Sequence, residues 1–375
     1  MEKILGDLIA FPTESPEGNE VACARYVRDQ IEDMKLDDCK IELDQFSPTN
    51  ANLIAHIGKS DEPSLIMSGH LDVVPAGEKS LWRDDPFRSH IKEGRLYGRG
   101  ASDMKSGLAA MIKALEAIKG KALKKSLLFV ATAGEESGFT GLHSLIERKK
   151  ITSGRNTRVV IGEPTDMQVG RAHRGLTRFK LTFEGKSAHA SRPDLGVNSI
   201  EACSRFLEEL GTLRSKLFGS VDEELGSATI TPTMLRAGTG ENVIPDKAEL
   251  ILDSRTIPAY SFSEMKNCIE MAAARSSKTI PNSKVTTEVL FSHDSLNTPE
   301  HHELVKAAEE LLGSKSIVCP FGTEGSLYQG LLGMPTIIVG PGTVEECHVL
   351  NESVDLLRLK EAVNFYQKLV DHFCL

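Results

Sequence analysis

No stretch of this sequence approaches the ~18 consecutive apolar residues of a membrane-spanning helix. Its opening residues, Met1-Glu2-Lys3-Ile4-Leu5-Gly6-Asp7, lack the basic region and apolar run of a secretory signal. Positive charge is also scarce: 44 Lys and Arg stand against 53 Asp and Glu, a formal net charge of -9. Nucleic-acid binders need clustered cations to displace counterions, so neither nucleic acid nor membrane is expected as a partner. No two cysteines form a C-x-x-C pair. The seven, Cys23, Cys39, Cys203, Cys268, Cys319, Cys347 and Cys374, are odd in number and scattered, which points to free thiols of a reducing compartment. Low-complexity tracts and repeats of ~20 to 50 residues are absent as well. What remains is an ordinary globular composition, 40% hydrophobic and 26% charged, and a soluble cytoplasmic enzyme is expected.

Single hydrophobic cores stop growing near ~250 to 300 residues, so a chain of 375 residues predicts two domains. The first ~175 residues alternate short apolar runs with helical periodicity, the pattern of parallel strands joined by crossover helices. Ser64–Ser68, Ser126–Ala131 and Arg158–Ile161 read as buried strands. Between the first two, Leu108, Met111, Ile112, Leu115 and Ile118 recur at spacings of three and four, predicting a helix over 104–118. The C-terminal part resumes this style, with a helix over 303–312, a strand over 335–339 and a last helix over 359–372. The middle has another texture: strands over 178–183 and 248–253 alternate with helices over 198–210 and 263–274. The expected fold is therefore α/β, with a discontinuous catalytic domain (1–175 and 292–375) built on a mainly parallel sheet flanked by helices. A smaller α+β sandwich (176–291) is inserted in it.

The candidate chemistry lies where the strands end. In an open α/β sheet, ligands bind outside the carboxyl ends of the strands. His70 and Asp72 follow the first buried strand, Glu135 and Glu136 the second, Glu163 the third, and His348 the 335–339 strand; Asp103 opens the helix after Gly98-Arg99-Gly100. Each residue alone has an ordinary explanation: a single Asp before a helix is commonly an N-cap, and paired glutamates are commonly a solvated turn. Together, acidic and imidazole groups converging on one rim without matching Lys or Arg would repel one another unless cations neutralised them. Imidazole with carboxylate suits zinc, manganese or cobalt, zinc being the default. His70, Asp103, Glu136, Glu163 and His348 exceed the three protein ligands of a single catalytic ion, which implies two, with Asp103 bridging. Asp72, two residues after His70, suits the orientation of that imidazole.

These segments closely resemble the M20 metallopeptidase family. The matching stretches are Ser68-Gly69-His70-Leu71-Asp72-Val73-Val74-Pro75, then Trp82 with Asp85-Pro86-Phe87, then Gly98-Arg99-Gly100-Ala101-Ser102-Asp103-Met104-Lys105. Thr132-Ala133-Gly134-Glu135-Glu136, Ile161-Gly162-Glu163-Pro164, Asn242-Val243-Ile244-Pro245 and the late His348 continue them. The resemblance implies two zinc ions per subunit, for which cobalt can substitute. His70 and Glu163 would hold one, Glu136 and His348 the other, and Asp103 both, with Glu135 as the base and a cis peptide after Asp103. It further implies that the inserted domain is a lid and dimerisation domain, giving a homodimer. Within that domain, His189 in Lys186–Pro193 would stabilise the oxyanion in the other subunit, Asn242 would assist, and Arg255 would clamp a substrate carboxylate.

Phe321-Gly322-Thr323-Glu324-Gly325 is similar to the acetylornithine deacetylase branch rather than the desuccinylases, which carry Gly-Thr-Ser-Asp. Gly322 and Glu324 are accordingly candidate substrate-binding residues, Glu324 for the free amine of an ornithine-like substrate. The chain departs from that branch at Leu71, Ser102 and Val349-Leu350, without losing a ligand. The competing expectations are a desuccinylase or dipeptidase, a non-catalytic binder of amino acid derivatives, and a two-metal phosphoesterase.

Overall fold

A computed structural model describes residues 1–154, 156–217, 219 and 221–375. The chain divides into two compact units, Met1–Ala172 with Thr298–Cys319 and Thr323–Leu375, and His173–Asn297 with Pro320–Gly322.

The first unit is organised by one large sheet. Among its strands are β1 (Cys39–Gln45), β2 (Ala51–Ile57), β3 (Pro63–His70), β4 (Ser126–Thr132), β5 (Arg158–Ile161), β6 (Gly170–His173) and β7 (Thr336–Ile338). They lie in the order β1-β2-β4-β3-β5-β7-β6. The centre is parallel: β3 pairs with β4 and β5, and β5 with β7. The β1-β2 and β2-β4 pairs are antiparallel. Strands β3 and β4 are buried along almost their whole length, as a parallel sheet covered on both faces requires. The helix Lys105–Leu115 buries ten of its eleven residues, and with the C-terminal helix Leu356–Cys374 it joins one core around Met67, Leu108, Met111, Phe129, Phe365 and Tyr366. Gly107 lets the helix approach the end of β5: a Cβ there would stand 2.1 Å from the carbonyl oxygen of Gly162.

The second unit carries an antiparallel sheet in the order Thr229–Ala237, Lys247–Thr256, Gly175–Glu184, Lys284–His293. Alternation sets its buried face: Phe179, Leu181 and Phe183 on one strand and Ala248, Leu250 and Leu252 on its neighbour are 0–1% exposed. The helices Ser199–Leu217 and Phe262–Thr279 pack with this sheet, the second opened by a Ser261/Glu264 capping box. Among the described residues no helix is long and apolar enough to cross a membrane, and all seven cysteines are free.

Candidate metal centre

Three neighbouring strands bring three ligand candidates to one rim of the large sheet. His70 is the last residue of β3, Glu135 and Glu136 stand just beyond β4, and Glu163 stands two residues beyond β5. Gly134, with φ +67°, supplies the left-handed turn that carries the chain from β4 into Glu135. The remaining two candidates come from loops. Asp103 precedes the helix Lys105–Leu115, and its peptide bond to Met104 is cis. His348 occupies a loop after β7 with φ +61°, an uncommon conformation for a residue with a side chain.

The donor atoms form two linked groups. His70 Nε2 lies 3.2 Å from Asp103 Oδ1 and 3.4 Å from Glu163 Oε1. His348 Nε2 lies 3.1 Å from Asp103 Oδ2 and 3.2 Å from Glu136 Oε1. Each oxygen of Asp103 thus faces a different imidazole. Donors bound tetrahedrally to one zinc ion at ~2.0–2.1 Å stand about 3.3 Å apart, so both spacings fit a divalent cation. Donor atoms of His70, Glu135 and Glu163 lie within 4.8 Å of one another, as do those of His70, Asp103 and Glu136.

Electrostatics give a second sign of fit. Burial pushes the carboxyl groups of Glu163 and Glu135 well above their ordinary range, and neighbouring carboxylates push them further. Burial raises Glu136 too, against the pull of His348. For His70, burial favours the neutral ring, but Glu163, Asp103 and Asp72 outweigh it and hold the imidazole well above its usual value. His348 is raised to about 10, by its hydrogen bonds to Asp103 and Glu136. Buried anions that drive up one another's proton affinity are stabilised by a cation among them. The residues present therefore suit a pair of divalent metal ions.

Asp72 is fully buried and serves both sides of the centre. Its backbone carbonyl is 2.9 Å from His70 Nδ1, which places the ring proton there and leaves Nε2 as the donor atom. Its carboxylate, whose Oδ1 is 3.5 Å from that nitrogen, accepts instead from the amides of Glu135 and Glu136 at 3.0 and 3.1 Å and from the Ser15 hydroxyl at 2.5 Å. The expected orientation of the imidazole thus comes from the main chain of Asp72, and the side chain holds the loop of the two glutamates. Ser15 carried no signal in the sequence, where it sits in a plain Thr13-Glu14-Ser15-Pro16 stretch.

Glu324 is 1% exposed. Its Oε2 accepts from the Thr132 hydroxyl at 2.9 Å, and burial raises it to about 7. It lies below the surface, and its Oε1 has no hydrogen-bond partner among the described residues.

The other candidates belong to the second unit. His189 pairs with Val243, and the Ala190 amide donates to the Asn242 carbonyl, so His189 and Asn242 are neighbours. The exposed His189 ring accepts the Ser191 amide at Nδ1, 3.1 Å away. In the neutral ring this puts the proton on Nε2, as an outward donor. Arg255 Nε donates to Asp253 Oδ1 at 3.0 Å, so its guanidinium already has a carboxylate partner. At Gly322, a Cβ would stand 2.1 Å from Cε1 of His293, which explains the glycine by packing.

Comparison with known proteins gives the chain a family. Residues 66–372 match peptidase family M20/M25/M40. An acetylornithine deacetylase of Proteus mirabilis is 32% identical over 330 residues, 86% of this chain and 83% of its own length. An M20 family metallo-carboxypeptidase from Sulfolobus solfataricus shares the fold, with a TM-score of 0.77 at 20% identity over 98% of both chains. So does a dinuclear metal binding peptidase of the M20 family from Bacillus subtilis, with a TM-score of 0.72 at 19% identity over 99% of this chain and 97% of its own. The chain belongs to the M20/M25/M40 family, and it is a metal-dependent hydrolase acting on amides.

Proposed function

We propose that the chain removes an acyl group from the nitrogen of a small amino acid, with N-acetylornithine, giving ornithine and acetate, as the first substrate to test. The observation that carries the reading is Asp103, whose two oxygens stand 3.2 and 3.1 Å from the Nε2 atoms of His70 and His348. His70, Glu163 and Asp103 would hold one zinc ion, and Glu136, His348 and Asp103 the other, with cobalt able to replace zinc. When bound, such ions polarise the acyl oxygen and acidify water. Glu135 then accepts a proton from water as its oxygen attacks the acyl carbon, and returns that proton to the nitrogen as the amide bond breaks. The products are a carboxylic acid and a free amine, which balances the reaction.

Burial raises Glu135, and a carboxylate that holds a proton more readily is better matched to this relay near neutral pH. His189, with Nε2 as a donor, and Asn242 suit the stabilisation of the oxyanion, His189 in the centre of a second copy. Arg255 would bind the substrate carboxylate by exchanging its Asp253 contact. Gly322 would line the substrate site and Glu324 would pair with the free terminal amine of an ornithine-like substrate. On this reading 1–175 with 292–375 form the catalytic domain and 176–291 the lid and dimerisation domain of a cytoplasmic homodimer. The 32% identity to an acetylornithine deacetylase supports the choice of substrate. Zinc-loaded protein should release amine from acetylornithine faster than from acetylcitrulline, succinyl-diaminopimelate or simple dipeptides. Preference for a dipeptide would replace the deacetylase reading with a peptidase one.

A further inference from the structure

The loop that presents Asp103 and the loop that presents His348 meet at one buried carboxylate. Glu352 is 0% exposed. Its Oε2 accepts from Arg99 Nη1 at 2.7 Å and from the Gly100 amide at 3.0 Å. Its Oε1 accepts from the amides of Ser102 at 2.7 Å and Asp103 at 3.0 Å. Three main-chain N–H groups of one short turn therefore point at a single anion, an arrangement that fixes the turn's backbone.

Glu352 itself belongs to the other loop. It lies four residues after His348 and directly before the strand Ser353–Asp355, which pairs with Arg95–Tyr97. Its carbonyl also accepts the Gly98 amide at 3.0 Å. On the far side of His348, the Ser102 hydroxyl donates to the Thr343 carbonyl and accepts the Thr343 amide, both at 2.9 Å. Both ends of the segment carrying His348 are thus tied to 98–103, the segment that carries Asp103. Metal sites demand ligand placement to within about 0.5 Å, and outer hydrogen bonds supply it. His348 needs that support, because its side chain is 51% exposed and its backbone is left-handed.

We propose that Glu352 is a positioning residue for the half of the metal centre formed by Asp103, Glu136 and His348, setting the spacing between Asp103 and His348 and with it the metal affinity of that half. The inference rests on the two-cation reading given above. A purely structural role, as the partner of Arg99 in the core, is the alternative that the test must separate.

Glu352→Gln is the informative change, since all four partners are donors and a carboxamide offers them one acceptor oxygen and an opposing NH2. Metal-free parent and variant, both shown folded by circular dichroism, are titrated with cobalt(II) by calorimetry and visible absorption. The parent is expected to bind two equivalents. The variant is expected to keep one parental equivalent and to bind the other about 10- to 100-fold more weakly, the usual consequence of losing an outer partner, with an altered absorption band. Two equivalents with parental affinities and spectra would overturn the inference, whatever happens to the melting temperature. Should the parent bind fewer than two, the two-cation reading itself fails, and this inference with it. If Glu352→Gln does not fold, Glu352→Asp keeps the charge but draws the carboxylate back from its four donors, and should weaken the same equivalent by a smaller factor. Unchanged affinities there would equally refute the positioning role.

Discussion

His70 and His348 offer the same atom to the two oxygens of Asp103, yet one imidazole is 1% exposed and the other 51%. The deep half is a product of the sheet: His70 ends β3, and Glu163 follows β5, the neighbour with which β3 pairs in parallel. The ladder fixes His70, paired with Thr132, and Glu163 stands two residues beyond the last paired residue of β5. The shallow half has no strand behind His348, only a loop tied by Glu352 and Ser102 to the segment of Asp103. The proposed centre thus joins residues placed by strand ends to a residue held by individual side-chain contacts.

The sharpest way to show that both halves serve one reaction is Glu135→Gln. It is expected to lower kcat by roughly 10²- to 10⁴-fold, the range for a lost general base, while elemental analysis still finds both metals. Hydrolysis at the parental rate would assign the base elsewhere. The next comparison is His70→Ala against His348→Ala in metal-free protein. Removing the buried imidazole leaves Glu163 and Asp103 without it and should cost about 3–5 kcal/mol, as for other broken buried pairs. The half-exposed His348 should cost about 1 kcal/mol or less. Urea unfolding measures both, and equal losses would erase the distinction between deep and shallow.

The smallest effect concerns pH. In metal-free protein His348 is raised to about 10 by its hydrogen bonds to Asp103 and Glu136. A cationic group raised on folding contributes stability that is complete below its unfolded value, ~6.5, and lost as pH climbs through the folded one. Unfolding of metal-free protein at pH 6, 8 and 10 should show that decline, discounted by solvent screening to about 1 kcal/mol or less. His348→Gln should flatten it, and an unflattened curve would place the titration at another group.

The deep half was legible because its logic is that of strand ends: apolar runs mark β3, β4 and β5, and the residues after them need only be read off. The helix Glu303–Leu312 appears where its periodicity puts it. Other elements left weaker traces. The strands Thr229–Ala237 and Lys284–His293 carry a proline in one and exposed charged or polar positions in both, which blurs the period of two. The helix Gly325–Leu332 contains two glycines in eight residues and reads as a turn. The β1-β2 pair alternates on its outer strand, too briefly to stand out from a loop. Glu352 and Ser15 were invisible for another reason: each acts on backbone groups or carboxylates distant along the chain, and no spacing records such a partnership. Glu324 shows the converse: its motif was legible in the sequence, and its depth is given only by the fold.

Asp72 spans two functions with one residue, its carbonyl on the imidazole of His70 and its carboxylate on the amides of Glu135 and Glu136. A displacement of the β3 terminus would therefore carry His70 and Glu135, the proposed ligand and the proposed base, together, like parts bolted to the same bracket. Their relative placement rests on a shared mount, a single residue to which both are hydrogen-bonded.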